Sequence, residues 1–263
     1  MDPATQSLAH ATAVRIVDEF GRSPFPGAFP KLDRSKIAFG LVERLAKPSL
    51  INQGGAGLCT TAALVYNLAR TRPVEYVRAV TELFDRGKTK INDWIIEPCD
   101  DLRFYKPPAS AKIPQADWII MASIRDSENW FFDYQRESDE GGTDVSETVD
   151  WLKKAGYTDV QEDRNLFANS TAANLKKADE LYAKDYQVIL SIDDNLLKGE
   201  RATLSQSNHA VALASRISVD FAQPNSLVYM KVFSWGDLHS IPLEDMTLDD
   251  FTDYYYGYVA ARF

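Results

Sequence analysis

Asn52-Gln53-Gly54-Gly55-Ala56-Gly57-Leu58-Cys59-Thr60-Thr61-Ala62-Ala63-Leu64-Val65-Tyr66-Asn67-Leu68-Ala69-Arg70 is the stretch on which the reading of this chain turns. From Thr60 to Arg70, the residues Ala62, Ala63, Leu64, Val65, Leu68 and Ala69 leave almost no polar face. A helix apolar nearly all round belongs in a core, so its N-terminus is predicted to open on an internal surface such as a cleft. Cys59 stands directly before it. A thiol there meets the positive pole of the helix and the unpaired N–H groups of its first turn, and both favour the reactive thiolate. Glycines 54, 55 and 57 let backbone approach a substrate without side-chain obstruction. The alternative at Cys59 is an inert buried thiol.

Outward from this helix the N-terminal half reads as helical. One helix is predicted from Ser35 to Ala46, and Pro73 takes the first position of another that runs over 74–86 and stops at Gly87. Ala116 to Tyr134 is a longer apolar-rich run. Asp144 with Glu147 three residues on fits a capping box, opening a helix that carries Val149, Trp151, Leu152 and Ala155 to a stop at Gly156. A last helix is predicted over 172–183. Near residue 185 the character changes, and the segments 186–192, 209–214, 227–233 and 254–261 are rich in apolar, β-branched and aromatic residues. Few helices can separate them, so an antiparallel sheet is predicted. The expected architecture is α+β, a single domain over 1–263. It has an N-terminal extension (1–32), a helical lobe (33–185) and a β-rich lobe (186–263), with the site in the cleft between lobes.

The composition bounds the function. In 263 residues, 45% are hydrophobic and 25% charged, ordinary values for a globular chain. A net charge of −9 argues against a nucleic-acid partner, because phosphate rewards clustered Lys and Arg. No run of about 18 apolar residues offers a membrane span, and the N-terminus lacks the basic-then-apolar order of a secretory signal. Synthesis in the cytosol without a signal peptide is therefore expected. Two cysteines and three scattered histidines have neither disulfide-framework nor metal-ligand spacing, so neither a metal nor a cofactor is expected. The acidic Glu137, Asp139 and Glu140 before Gly141-Gly142 read as an exposed loop.

Two further positions extend the catalytic reading. Gln53 precedes Cys59 by six residues, and its amide could converge with the Cys59 N–H into an oxyanion hole. Cys99 is the poorer nucleophile, since Glu97, Asp100 and Asp101 would disfavour a thiolate. A thiol needs a base. His10 falls in an N-terminal stretch expected to be mobile, and His239 follows the strand ending near Trp235. His209 opens the apolar segment His209-Ala210-Val211-Ala212-Leu213, led in by Ser207-Asn208. It follows Cys59 by 150 residues, within the roughly 130–150 span of papain-type enzymes. A satisfied core histidine is the alternative.

Gln53, Cys59 on a buried helix, His209 on a later strand and Ser234-Trp235-Gly236 at the end of the next strand resemble the papain-like cysteine peptidase arrangement in its usual chain order. More specifically, Asn52-Gln53-Gly54 leading into Gly57-Leu58-Cys59-Thr60, with Tyr76-Val77 to Gly87, resembles papain-like domains of bacterial secreted toxins. That resemblance implies a protein substrate, a secretion-system carrier of type VI or a related kind, a cognate immunity protein, and action inside a target cell. Catalytic roles fall on Cys59 and His209, acting as a thiolate–imidazolium pair, and on Gln53. The chain departs from the family at Phe233, which stands where papain-like enzymes carry the Asn that orients the histidine. Phenylalanine cannot accept an imidazole N–H, so the role is expected to pass to Asp237, or the pair works alone. Trp235 reads as packing beside the histidine.

The same constellation would also serve a deamidase, a transglutaminase-like enzyme or a peptidoglycan amidase, because chemistry up to the acyl-enzyme is shared. A catalytically silent papain-fold binding module is the reading from another class, and Phe233 is the feature that favours it.

Overall fold

The computed structural model describes residues 3–128, 145–165, 168–203 and 209–263. Outside them lie the end of the apolar run beyond 128, the Glu137, Asp139, Glu140 and Gly141-Gly142 cluster, the Asp144 end of the capping box, and Ser207-Asn208.

A helix without a polar face needs neighbours all round. In the first compact unit, residues 1–143, α1 (Pro3–Arg22), α2 (Arg34–Ala46), α3 (Cys59–Thr71) and α4 (Pro73–Arg86) come first. The short hairpin β1 (Thr89–Ile91) and β2 (Trp94–Ile96), then α5 (Asp100–Phe104) and α6 (Gln115–Glu128), follow. α3 is buried at every position from Cys59 to Ala69, and α2, α4 and α6 pack against it. Local chemistry sets the helix ends. Asp33 caps α2 by accepting the Ser35 N–H at 2.8 Å, a bond worth about 1 kcal/mol. Pro73 opens α4, and Gly87, at φ +73°, closes it by giving its N–H to the Leu83 carbonyl.

The N-terminal stretch expected to be mobile is instead α1. Ala13, Val17 and Phe20 form a buried stripe at helical spacing, and the helix packs on α2 and α4. Phe20 meets Phe84 edge-on, with ring centroids 5.5 Å apart.

The second unit, residues 144–263, holds the sheet. Its elements are α7 (Val145–Lys154), β3 (Asp159–Arg164), α8 (Ala172–Tyr182), β4 (Gln187–Ile192), α9 (Asn195–Lys198), β5 (His209–Leu213), β6 (Met230–Ser234), β7 (Asp237–Ile241), α10 (Leu248–Thr252) and β8 (Tyr255–Arg262). Among the described residues, six strands run in the order β3-β8-β4-β5-β6-β7, each antiparallel to its neighbour. The chain is thus α+β, a helical part and an antiparallel sheet.

The unit begins well before residue 185, since α7 packs on β3 and β8 and α8 packs on β4 and β8. β3 escapes a reading by composition because Asp159-Val160-Gln161-Glu162-Asp163-Arg164 is polar; it is an edge strand that exists by pairing with β8. β4 and β5 are buried at every position, and β8 at all but its last, which explains their continuous apolar runs. Val188, Leu190, Val211, Leu213, Val232 and Tyr258 share a core with Leu175 and Ala178 of α8. Among the described residues, no helix is long and apolar enough to cross a membrane.

Candidate functional site

In the first unit, Cys59 is the first residue of α3, follows Leu58 at the N-cap, and is 9% exposed. No side chain caps the helix, and no acidic residue sits in its first turn. The positive helix end therefore acts on the thiol without a countercharge from that turn. The Leu58 carbonyl accepts from the Ala62 N–H at 2.8 Å and the Thr61 hydroxyl at 2.9 Å, tying this end down.

The loop before Cys59 is braced from several sides. Gln53 is buried and gives an amide N–H to the Ala56 carbonyl at 3.2 Å. An amide nitrogen carries two hydrogens, and this bond uses one. The Asn52 side chain accepts the Gly54 N–H at 2.8 Å, and the Gly55 N–H reaches the Ala111 carbonyl at 3.1 Å. Gly54 has φ +58°, and a Cβ there would lie 1.9 Å from the Ala111 oxygen, so only glycine fits. Gly55 faces open space.

Behind the loop lies a buried ion pair that nothing local in the sequence announces. Arg44 grips Asp117 with two bonds, Nε to Oδ1 at 2.9 Å and Nη2 to Oδ2 at 2.8 Å. The same Asp117 Oδ2 accepts the Asn52 N–H at 2.9 Å, so the pair holds the residue next to Gln53. Burial pushes the Asp117 carboxyl up to about 6, although the Arg44 guanidinium and the Asn52 N–H pull it down. Neither Cys59 nor Cys99 is in a disulfide. Cys99 is exposed and lies against Asp126, Sγ to Oδ1 at 3.4 Å; desolvation first and that carboxylate next raise its thiol pKa.

In the second unit, His209 begins β5 and is 6% exposed. Its Nε2 lies 2.7 Å from the Ser234 Oγ. The register Leu213↔Val232 and Ala212↔Phe233 accounts for this, because side chains alternate along a strand. Ser234 shares a face with Val232, Leu213 and His209, whereas Phe233 points to the other. Trp235 stacks on the imidazole, centroids 4.6 Å apart and planes at 26°. It reaches that place from a two-residue turn between Ser234 and Asp237, with Trp235 at φ +45° and Gly236 at φ +84°. His239 of β7 closes the cluster: its Nε2 lies 2.9 Å from the Ser234 carbonyl oxygen and its ring meets Trp235 edge-on.

Burial pushes the His209 ring down to about 4; the Asp194 carboxylate opposes this, while Lys198 and His239 add to it. The ring is therefore neutral at pH 7. Asp237 opens β7 across the turn from Ser234, is exposed, and accepts the Leu238 N–H at 2.9 Å. On the imidazole Nε2, the structure places Ser234. Counting strand alternation back from Ser234 was the signal that could have found it. Nearby, the fully buried Asp193 accepts from the Thr203 N–H at 2.7 Å, its hydroxyl at 2.6 Å and the Asn195 N–H at 3.0 Å, which fixes the start of α9 and with it Asp194.

Gln53 and Cys59 thus belong to one braced loop and helix start, and His209 to a cluster with Ser234, Trp235 and His239. No family model, no curated protein and no solved structure matches the chain.

Proposed function

We propose that this protein is a papain-like cysteine peptidase acting on a protein substrate, with Cys59 as nucleophile and His209 as base. Sγ attacks the peptide carbonyl carbon while His209 takes the thiol proton. Gln53 and the Cys59 N–H receive the oxyanion. The C–N bond then breaks, His209 passes its proton to the leaving amine, and water activated by the freed imidazole hydrolyses the thioester. Asp237 is the sequence's candidate for orienting the ring. In keeping with the toxin resemblance, the proposal extends to synthesis in a bacterial cytoplasm, export by a secretion-system carrier, and neutralisation by a cognate immunity protein.

The observation that carries this reading is Cys59 as the first residue of the buried α3, at a positive helix end with no acidic residue in its first turn; His209 adds a ring bonded at Nε2 to Ser234 and stacked on Trp235. A ring with a pKa near 4 is protonated in about one molecule in a thousand at pH 7. Burial makes the ring a weaker base than an ordinary imidazole, so a thiolate–imidazolium pair requires the nearby thiolate to raise it. Phe233 lies on the other face of β6, so the position where the family carries its orienting Asn does not face the His209 ring.

Toxicity on expression in a bacterial host tests the reading. Cys59→Ala should fold and be inert, and a thiol-reactive amide probe should label wild-type Cys59; a folded, still toxic Cys59→Ala would end the nucleophile assignment. Gln53→Ala should lose about 2.7–4 kcal/mol of transition-state stabilisation. Appearance of new N-termini in target proteins indicates a peptidase, and ammonia release without them a deamidase.

A further inference from the structure

We propose that Ser234 is the positioning residue of His209: its Oγ accepts the Nε2–H, which fixes the ring in one tautomer and leaves Nδ1 as the basic nitrogen. The inference rests on the reading of His209 as a base and names the group that sets its proton.

Four observations carry it. The Nε2 to Oγ separation of 2.7 Å is a full hydrogen bond, and Ser234 is 3% exposed, so water does not compete for it. Strand alternation holds the hydroxyl on the His209 face. Trp235 covers the ring and limits its tilt. His239 pins the Ser234 carbonyl, so the end of β6 that carries the hydroxyl is itself tied to β7. A hydroxyl both donates and accepts, so it can serve either tautomer. A base, however, needs a bare nitrogen facing its substrate, and Nε2 is turned into the protein against Ser234. The bare nitrogen is then Nδ1, and Ser234 accepts. The charged and titratable groups that bear on the ring are Asp194 and Lys198 around α9 and His239 on β7. A neutral hydroxyl stabilises an imidazolium less than a carboxylate would, in keeping with a ring that is uncharged until it takes the proton.

The test uses the whole chain labelled with ¹⁵N-histidine. It has three histidines, so His10→Asn and His239→Asn assign the His209 signals. At pH 7 the wild-type ring should be protonated on Nε2. Ser234→Ala should mix the tautomers, Ser234→Thr, which keeps the hydroxyl and suits a strand, should retain the wild-type state, and Asp237→Ala should not move it. Iodoacetamide alkylation of Cys59, in a Cys99→Ser background, should slow about tenfold in Ser234→Ala and recover in Ser234→Thr.

A wild-type His209 protonated on Nδ1 overturns the inference. So does a Ser234→Ala protein with unchanged tautomer and alkylation, or a tautomer that responds to Asp237→Ala and not to Ser234→Ala. The tautomer is read without reference to Cys59, and the nucleophile is tested by Cys59→Ala without reference to the tautomer, so either assignment can fail alone.

Discussion

Trp235 lies over His209 with ring centroids 4.6 Å apart, on a backbone turned to φ +45°. A bulky side chain in that region is a steric outlier that persists where its surroundings hold it. Here the tight turn from β6 to β7 demands positive φ at both central residues, and the stack, worth about 0.5–1.5 kcal/mol, uses the indole that results. Glycine would satisfy the turn but not the ring.

The two contributions separate by mutation. Trp235→Ala loses the stack and keeps the unfavourable backbone; Trp235→Gly loses the stack and relieves it. Trp235→Gly should therefore be the more stable of the two by about 1 kcal/mol in urea unfolding, and both should free the His209 ring. Equal midpoints would mean that the turn is not strained at this residue.

Neighbouring glycines before Cys59 should behave oppositely. Gly54→Ala places a Cβ 1.9 Å from the Ala111 oxygen at φ +58°, so either the loop moves or the Ala109–Ala111 turn does. A loss above about 2 kcal/mol and a changed Cys59 alkylation rate are expected. Gly55→Ala meets nothing within 4 Å and should stay within about 0.5 kcal/mol of wild type. Similar urea midpoints for the two would show that the loop is not seated on Ala111.

What composition could reveal, it did: α3 from its lack of a polar face, α4 from Pro73 and Gly87, and β4, β5 and β8 from continuous apolar runs. Elements stabilised by pairing or by sparse contacts were hidden. β3 is polar because it is an edge, and α1 buries a thin stripe amid exposed residues. In the candidate site, Cys59 at a helix start and His209 at a strand start were legible from local pattern. Ser234 was not, because a motif aligned by residue order directs attention to Phe233, while the pleat decides which side chain faces the histidine. Arg44 and Asp117 are 73 residues apart in sequence, and their pairing leaves no local trace.

That ion pair is a sensitive point of the first unit. Asp117→Ala leaves the buried Arg44 guanidinium with the partly exposed Glu43 carboxylate, 2.9 Å away, in place of its buried two-bond partner and should cost about 3 kcal/mol. The double variant Arg44→Met, Asp117→Leu removes both charges and should recover a good part of that loss in urea unfolding. The Asn52 N–H would still lack its carboxylate, so Cys59 alkylation should remain altered in the recovered protein. A double variant no more stable than the single one would show that the pair contributes more than mutual neutralisation.

Acid should act on the second unit through His209. Its ring titrates near 6.5 when unfolded and is pushed by burial to about 4 in the fold. Between those values the unfolded chain binds a proton that the folded chain refuses. The stabilisation from a neutral His209 is thus fully present above about 6.5 and is lost progressively as the pH falls towards 4, up to about 3 kcal/mol in all. Asp117 works against this, because burial raises it from 3.8 to about 6 and the fold then favours its protonated form as the pH falls through that window. The wild-type profile alone would blend the two. The difference between wild type and His209→Asn isolates the histidine, since Asp117 is common to both. Loss of the Ser234 bond and the Trp235 stack will shift the variant at every pH, but only the titration changes that shift between pH 7 and pH 4.5. Wild type should lose about 2–3 kcal/mol relative to His209→Asn over that interval in urea unfolding. Parallel stability profiles would show that His209 titrates at its ordinary value and that its burial does not hold it neutral.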